Sequence, residues 1–562
     1  MEEHLESVLK GDDNRKMGKE SKWQTKDQLL DSLCELVEIP SVTHSIGEIE
    51  VAEFVEKKLR ELPYFQTNKE YLTLHTTEDD RKFVTALVKK GTNEKQTVIL
   101  VSHFDVVGVE DYGDWQEYAF QPKKLTELFY GNKNHMPKEV QKDLENGNWL
   151  FGRGTMDMKC GLALHMSLIE EACSGSFDGN LLLLTVCDEE VNSVGMRNAA
   201  PVLLEMAKQH HLEYNACLNS EPMFARYPGD ENQYIYSGSI GKILPGFLCY
   251  GKETHVGEPF SGLNANFMAS LLTNELELNT EFCEVVEGEV TPPPTNLIQK
   301  DLKKEYNVQI PHRAITMFNL FIMERSMNEV VEHLRKSAEK VARRIELGYE
   351  KRAAHFSTLE NSTPKEMSVK VYQFDELLHY AIETYGKEKV DAIQTNVLRS
   401  RESKDDRDLT IHLVDELSIL CKELSPMIVL FFAPPYYPAV NSRNHPRISR
   451  VVDHIIGYAK NTYDIDLKNQ NYFAGLSDLS YVSLEKPASS LKDLTANMPL
   501  WGKGYHIPLD VLENLNIPVL NLGPVGRDAH KWTERLDVDH AFGALRDMLS
   551  ITVNLLLDGD KD

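Results

Sequence analysis

Side chains able to hold a metal or move a proton recur at the ends of apolar runs in this 562-residue chain. The most unusual setting is Phe151-Gly152-Arg153-Gly154-Thr155-Met156-Asp157-Met158-Lys159-Cys160-Gly161, a glycine-punctuated loop with one carboxylate between two methionines. Residues 97–101 (TVILV) lead into Ser102-His103-Phe104-Asp105, and residues 181–186 (LLLLTV) lead into Cys187-Asp188-Glu189-Glu190. Cys217-Leu218 precedes Asn219-Ser220-Glu221-Pro222, and residues 519–522 (VLNL) run through the turn Gly523-Pro524-Val525-Gly526 to Asp528-Ala529-His530. Short apolar runs bounded by polar residues read as buried strands. In an open α/β sheet the carboxyl ends of such strands share one crevice, so groups distant in sequence converge there. Two imidazoles, His103 and His530, and three carboxylates, Asp157, Glu190 and Glu221, then sit at one rim.

Each motif alone has a plainer alternative. His103 with Asp105 is either a hydrogen-bonded pair closing a strand, or a metal ligand whose tautomer is fixed by the carboxylate two residues on. In the second case Asp105 orients and does not ligate. Asp188-Glu189-Glu190 is either a solvated acidic turn or a strand end where one carboxylate binds metal and its neighbour acts as general base on water. The apolar run before it favours the second reading, with Glu190 on the metal and Glu189 carrying the proton. Glu221 is compatible with a surface turn before Pro222, and His530 with a helix cap. Other chemistries lack their signatures: no Lys-Ser/Thr follows Gly152-Arg153-Gly154 at phosphate-loop spacing, and HExxH and Gly-x-Ser-x-Gly are both absent.

Composition narrows the partners. The balance of 61 basic against 87 acidic residues leaves a formal charge of −26, which opposes nucleic acid and anionic membrane surfaces. No apolar stretch has the length of a membrane span, and the first residues lack the basic-then-apolar order of a signal peptide, so cytoplasmic residence is expected. The eight cysteines form no CxxC pair and read as reduced, mostly buried thiols. Cys187, beside the acidic cluster, is either a packed thiol or a further ligand.

The elements that must position these groups follow from periodicity, and the length implies at least two hydrophobic cores. Residues 1–24 are polar and weakly periodic and read as an extension. The apolar face Leu29, Leu30, Leu33, Leu36, Val37 predicts a helix from Thr25, and a second helix follows over 48–62. Strands at 70–75, 83–88 and 97–101, with helices at 162–173 and 196–210, predict an α/β domain over 25–238. Residues 110–150 read as a loop-rich insertion. Strands at 243–250, 314–323 and 368–372, helices at 262–278 and 327–346, and a proline loop at 291–295 predict an inserted strand and helix sandwich over 239–372. The first domain is expected to resume over 373–562, with strands at 427–433 and 518–522.

As a set, SHFDVV (102–107), GRGTMDMKCG (152–161), CDEEVNSVG (187–195), SEP (220–222), GLSD (475–478) and GRDAH (526–530) resemble the dizinc amidohydrolase family of aminoacylases, dipeptidases and glutamate-releasing carboxypeptidases. The motifs stand in that family's order, and the similarity covers nearly the whole chain beyond residue 25. The resemblance implies a mixed-sheet, zinc-peptidase-like α/β catalytic domain with an inserted α+β sandwich lid. It implies two zinc ions per subunit, with Mn2+ or Co2+ as alternatives. Asp157 would bridge them, His103 and Glu221 would complete one site, and Glu190 and His530 the other. Glu189 would be the general base, and the peptide bond after Asp157 is expected to be cis. The segment Gly251-Lys252-Glu253-Thr254-His255-Val256-Gly257-Glu258-Pro259 resembles a lid segment whose histidine polarises the scissile carbonyl, in the partner subunit's site in dimeric relatives. His255 is therefore either a catalytic residue or an ordinary strand-end histidine, and the protein a monomer or a homodimer.

One departure bears on the substrate. Relatives carry Asn-Val-Ile-Pro and then a strand whose arginine grips a substrate carboxylate; here Asn307-Val308-Gln309-Ile310-Pro311 has one residue added, and Phe321 stands at the arginine's place. A phenyl ring cannot fork onto a carboxylate as a guanidinium does. The length, the 110–150 segment and this lid variant most resemble the RocB arginine-utilisation subgroup. The expected activity is hydrolysis of an amide or peptide bond in a small N-acyl amino acid or dipeptide, with arginine catabolism as its setting. The other reading is a metal-containing binding or regulatory protein on the same fold.

Overall fold

The computed structural model describes residues 21–558 apart from 92, 228, 361, 362, 364, 365, 402 and 403, so most of the expected polar extension lies outside the described residues. Its last residues are packed against the body of the protein. Trp23 is buried, and the backbone N–H groups of Lys22 and Trp23 both donate to the Glu170 carboxylate.

Two main sheets are built from thirteen strands: β1 (Leu72–Thr76), β2 (Lys82–Lys89), β3 (Gln96–His103), β4 (Asn180–Val186), β5 (Glu213–Asn219), β6 (Gln233–Tyr236), β7 (Gly241–Tyr250), β8 (Thr295–Asp301), β9 (Arg313–Ile322), β10 (Lys370–Gln373), β11 (Met427–Tyr437), β12 (Leu467–Gln470) and β13 (Val519–Asn521). The larger sheet has the order β1-β2-β4-β3-β5-β13-β6-β12. Every residue of β4 is buried, and its leucines alternate, with Leu182 and Leu184 in one apolar cluster and Leu181 and Leu183 in another. A strand covered by helices on both faces needs apolar side chains at every position, which is why this stretch reads as an unbroken run. β3 runs parallel to β4 and β5, and β13 runs parallel to β5. The four carboxyl ends therefore share an edge, with His103 level with Val186, and Asn521 level with Asn219.

The second sheet has the order β8-β9-β7-β11-β10 and departs from expectation in extent. β11 was expected to return the chain to the first domain, yet it pairs with β7 from Met427 opposite Tyr250 to Tyr437 opposite Lys242. The helices Phe374–Tyr385, Lys387–Leu398 and Asp406–Leu420 pack on this sheet too, so the expected boundary at residue 372 falls inside it. The reason is physical: a fully apolar run states that a strand is buried on both faces, and does not state which sheet receives it. Residues 110–150 also differ. They form helical segments, including Pro122–Gly131 and Lys138–Asn146, around a small core of Tyr112, Leu125, Phe129, Val140 and Trp149. All eight cysteines are free, and among the described residues no helix is long and apolar enough to cross a membrane.

Candidate active site

The shared edge of β3, β4, β5 and β13 brings the five expected ligand residues together. His103 closes β3 with Nε2 3.4 Å from Asp157 Oδ1 and 3.4 Å from Glu221 Oε1. On the other side of Asp157, His530 Nε2 lies 3.3 Å from Asp157 Oδ2 and 3.1 Å from Glu190 Oε1. Each trio, His103-Asp157-Glu221 and Asp157-Glu190-His530, offers ligand atoms within 4.8 Å of one another. Mixed nitrogen and oxygen donors around one shared carboxylate suit a pair of divalent cations. Glu221 Oε1 tests that fit: it is buried and accepts no hydrogen bond, His103 Nε2 being near but not aligned. A buried carboxylate oxygen left so is costly unless a cation completes it.

The charges respond to one another. Burial pushes the carboxyl groups of Glu189 and Glu190 upward and that of Glu221 to about 7. Burial acts on Asp157 in the same sense, but His103 and His530 hold its carboxyl below the usual range. Burial lowers both imidazoles, yet the surrounding carboxylates win: His530 rises to about 11, and His103 is raised well above its ordinary value.

Backbone anchors fix this arrangement. Asp105 was expected to orient His103 through its carboxylate, but the closer partner of His103 Nδ1 is the backbone oxygen of Asp105 at 3.1 Å, with the carboxylate at 3.6 Å. The carboxylate instead accepts from the N–H groups of Glu189 at 3.0 Å and Glu190 at 3.3 Å, so it holds the loop that presents both acids. Asp188, the first acid of that run, has φ +68° and turns away toward Arg81, which also grips Glu48. The Tyr437 hydroxyl of β11 donates to the backbone oxygen of Glu189 at 2.9 Å and joins the second sheet to the same loop.

Two contributors were missed by sequence reasoning. Glu534 is buried, accepts from Gly154 N–H at 2.8 Å and from Arg153 Nη1 at 2.7 Å, and so ties the Asp157 loop to the segment following His530. Gly154 has φ +81°, a backbone state that glycine adopts without strain. Asp478, inside the GLSD motif but given no role, is buried near His103 and Glu221, and burial pushes its carboxyl to about 8. No spacing rule marks Glu534; only its place four residues after a ligand candidate hints at it. The Asp157–Met158 peptide is cis. His255, by contrast, is exposed, its Nδ1 accepts from Gly257 N–H at 3.0 Å, and its strand-like partner is Gln309. Among the described residues it has no hydrogen bond or ion pair with the rim of its own chain.

Known proteins resemble this chain in sequence and in fold. Residues 99–491 match the family described as Peptidase family M20/M25/M40. The uncharacterized protein YqjN of Bacillus subtilis (strain 168) is 50% identical over 95% of this chain and 97% of its own length. Protein RocB of the same organism is 31% identical over 93% of this chain and 94% of its own. Among solved structures, the M20 family metallo-carboxypeptidase Sso-CP2 from Sulfolobus solfataricus matches with a TM-score of 0.52 at 14% identity, covering 94% of this chain and 99% of that one, a likeness of fold. By matched span and by identity over nearly its whole length, this chain belongs to peptidase family M20/M25/M40.

Proposed function

We propose that the protein is a dinuclear metallohydrolase that cleaves an amide or peptide bond in a small N-acyl amino acid or dipeptide. The observation that supports this most directly is Asp157, which offers each of its oxygens to a different imidazole, His103 at 3.4 Å and His530 at 3.3 Å. His103, Asp157 and Glu221 would hold one cation and Asp157, Glu190 and His530 the other, with zinc the best match for this donor set. When bound, such cations polarise a carbonyl and lower the pKa of water.

Glu189 is the proton carrier. Its carboxylate is 3.9 Å from His103 Nε2, its backbone is held by Asp105 and Tyr437, and its side chain is shielded from bulk water. It accepts the proton of the attacking water as the new C–O bond forms, and returns it to nitrogen as the C–N bond breaks. Asp105 keeps His103 and the Glu189 loop in register throughout. His255 would act only across a dimer, in the site of a second copy. The kinship with RocB supports arginine catabolism as the setting, so N-acylated arginine belongs among the trial substrates.

The test is turnover by zinc-loaded protein on a panel of N-acyl amino acids and dipeptides, with Glu189→Gln alongside. Hydrolysis by the wild type, lost in a variant that retains both metals, is expected. Metal uptake without turnover on any substrate, and ligand binding indifferent to Glu189→Gln, would instead support a binding or regulatory protein.

A further inference from the structure

Lys242 lies near the start of β7, in the middle of the second sheet, and the strands on either side place Phe321 and Tyr437 directly opposite it. Directly opposed residues of antiparallel strands project from the same face, so these side chains form a row across β9, β7 and β11. One end of the row is fixed to the catalytic loop, because the Tyr437 hydroxyl donates to Glu189 and lies 3.1 Å from the Ser193 hydroxyl. The Lys242 ammonium stands over the Tyr437 ring, 5.8 Å from its centroid, within electrostatic reach of Glu189 and Arg407. The row therefore looks from the second sheet onto the loop that carries the general base.

What distinguishes Lys242 is the lack of an anionic or hydrogen-bonding partner. Among the described residues its ammonium has no hydrogen bond and no ion pair, in a chain with 87 acidic side chains. The cations that touch the loop after β4 are matched: Arg81 with Glu48 and Asp188, Arg197 with Glu78, Arg407 with Asp405. Burial draws this ammonium below the ordinary lysine range, and the contact that faces it is the uncharged Tyr437 ring. Lys242 is partly exposed, whereas every other residue of β7 is buried. Phe321 beside it supplies an apolar wall and no charge.

We propose that Lys242 receives the anionic group of the substrate, a carboxylate set back from the scissile amide. The choice of scissile bond rests on the hydrolase reading; the ionic contact does not. An ammonium is a point charge with no fixed fork, so it recognises charge and tolerates variation in carboxylate orientation.

The experiment compares wild type, Lys242→Gln and Lys242→Arg, all zinc-loaded, on N-acetyl amino acids as free acids and as their amides. Lys242→Gln is expected to raise KM for the acids by about 30-fold or more, with kcat little changed and the amides unaffected, while Lys242→Arg recovers most of the loss. Calorimetric binding of the same acids and amides separates this from the hydrolase reading. If nothing is turned over but the acid preference disappears in Lys242→Gln, the contact stands and the hydrolase reading falls. Equal losses on acids and amides, no loss on either, or no acid preference in the wild type overturns the assignment.

Discussion

The two sides of Asp157 are alike in chemistry and unlike in setting. His103 has a side chain 1% exposed at the end of a strand flanked by two parallel neighbours. His530 has a side chain 48% exposed on a turn where its own φ is +63°. The same pairing of imidazole and carboxylate is therefore built once into a rigid interior and once onto an accessible rim. Ligand identity decides which ion a site prefers, but the freedom of each ligand decides how fast the ion comes and goes. On this view the His103 side sets the geometry and the His530 side is the door.

The largest effect that bears on this contrast comes from the residue both sides share. Asp157→Ala should leave neither cation bound in metal analysis and reduce hydrolysis to background; one retained equivalent would show that the sides do not depend on a common carboxylate. Glu189→Gln comes next, with kcat lower by about 10²–10⁴-fold and both metals kept. The contrast is then read directly from chelation of the wild type. Two separated phases of metal loss are expected, the fast one abolished in His530→Ala, which should still hold one cation. A single phase, or the slow phase vanishing in His530→Ala, breaks the assignment of door and frame.

The same contrast explains what could be read from the sequence. His103, Glu190 and Glu221 follow apolar runs that end at one edge of a parallel sheet, so local pattern and topology together bring them to one place. His530 was reachable by the same logic because the short strand Val519–Asn521 runs parallel to Glu213–Asn219. Glu534 was not, since its partners Arg153 and Gly154 lie about 380 residues earlier and are joined to it only by the fold. The extent of the second sheet was hidden for a related reason: Met427–Tyr437 is buried along its whole length and carries no polar face to say which neighbour it pairs with. For Asp105, spacing does not distinguish the backbone oxygen, 3.1 Å from His103 Nδ1, from the carboxylate of the same residue at 3.6 Å.

Smaller effects sharpen the picture of the frame. Glu534→Ala leaves buried Arg153 with only the more exposed Asp111 and should destabilise the fold by about 3 kcal/mol in denaturant unfolding. Glu534→Gln, which keeps the size, should weaken zinc binding by about 10–100-fold, the usual scale for groups that hold ligands in place. No change in zinc affinity would mean that the Asp157 loop is fixed by other contacts, with Lys159, whose ammonium donates to Leu36 and Ile39 backbone oxygens, the first to suspect.

The subtlest prediction concerns protons. In the metal-free protein both imidazoles are raised above their ordinary value, so the stability they contribute is complete below pH of about 6.5 and is lost as pH climbs toward about 11, where His530 gives up its proton. Glu221, held at about 7 by burial, acts in the same direction, because the folded state again binds the proton more tightly than the unfolded one. Metal-free protein should therefore melt at progressively lower temperature as pH rises, through Glu221 up to pH of about 7 and through the imidazoles beyond it. Zinc requires unprotonated nitrogen, so zinc uptake at pH 7 must expel protons, and affinity must rise with pH. Calorimetric titration of zinc in buffers of different ionisation enthalpy measures the number released, and His530→Ala should release about one fewer. An unchanged count would mean that His530 is neutral before metal arrives, which would leave the exposed side of Asp157 as open to zinc as the buried side is closed to solvent, with no proton to displace at the door.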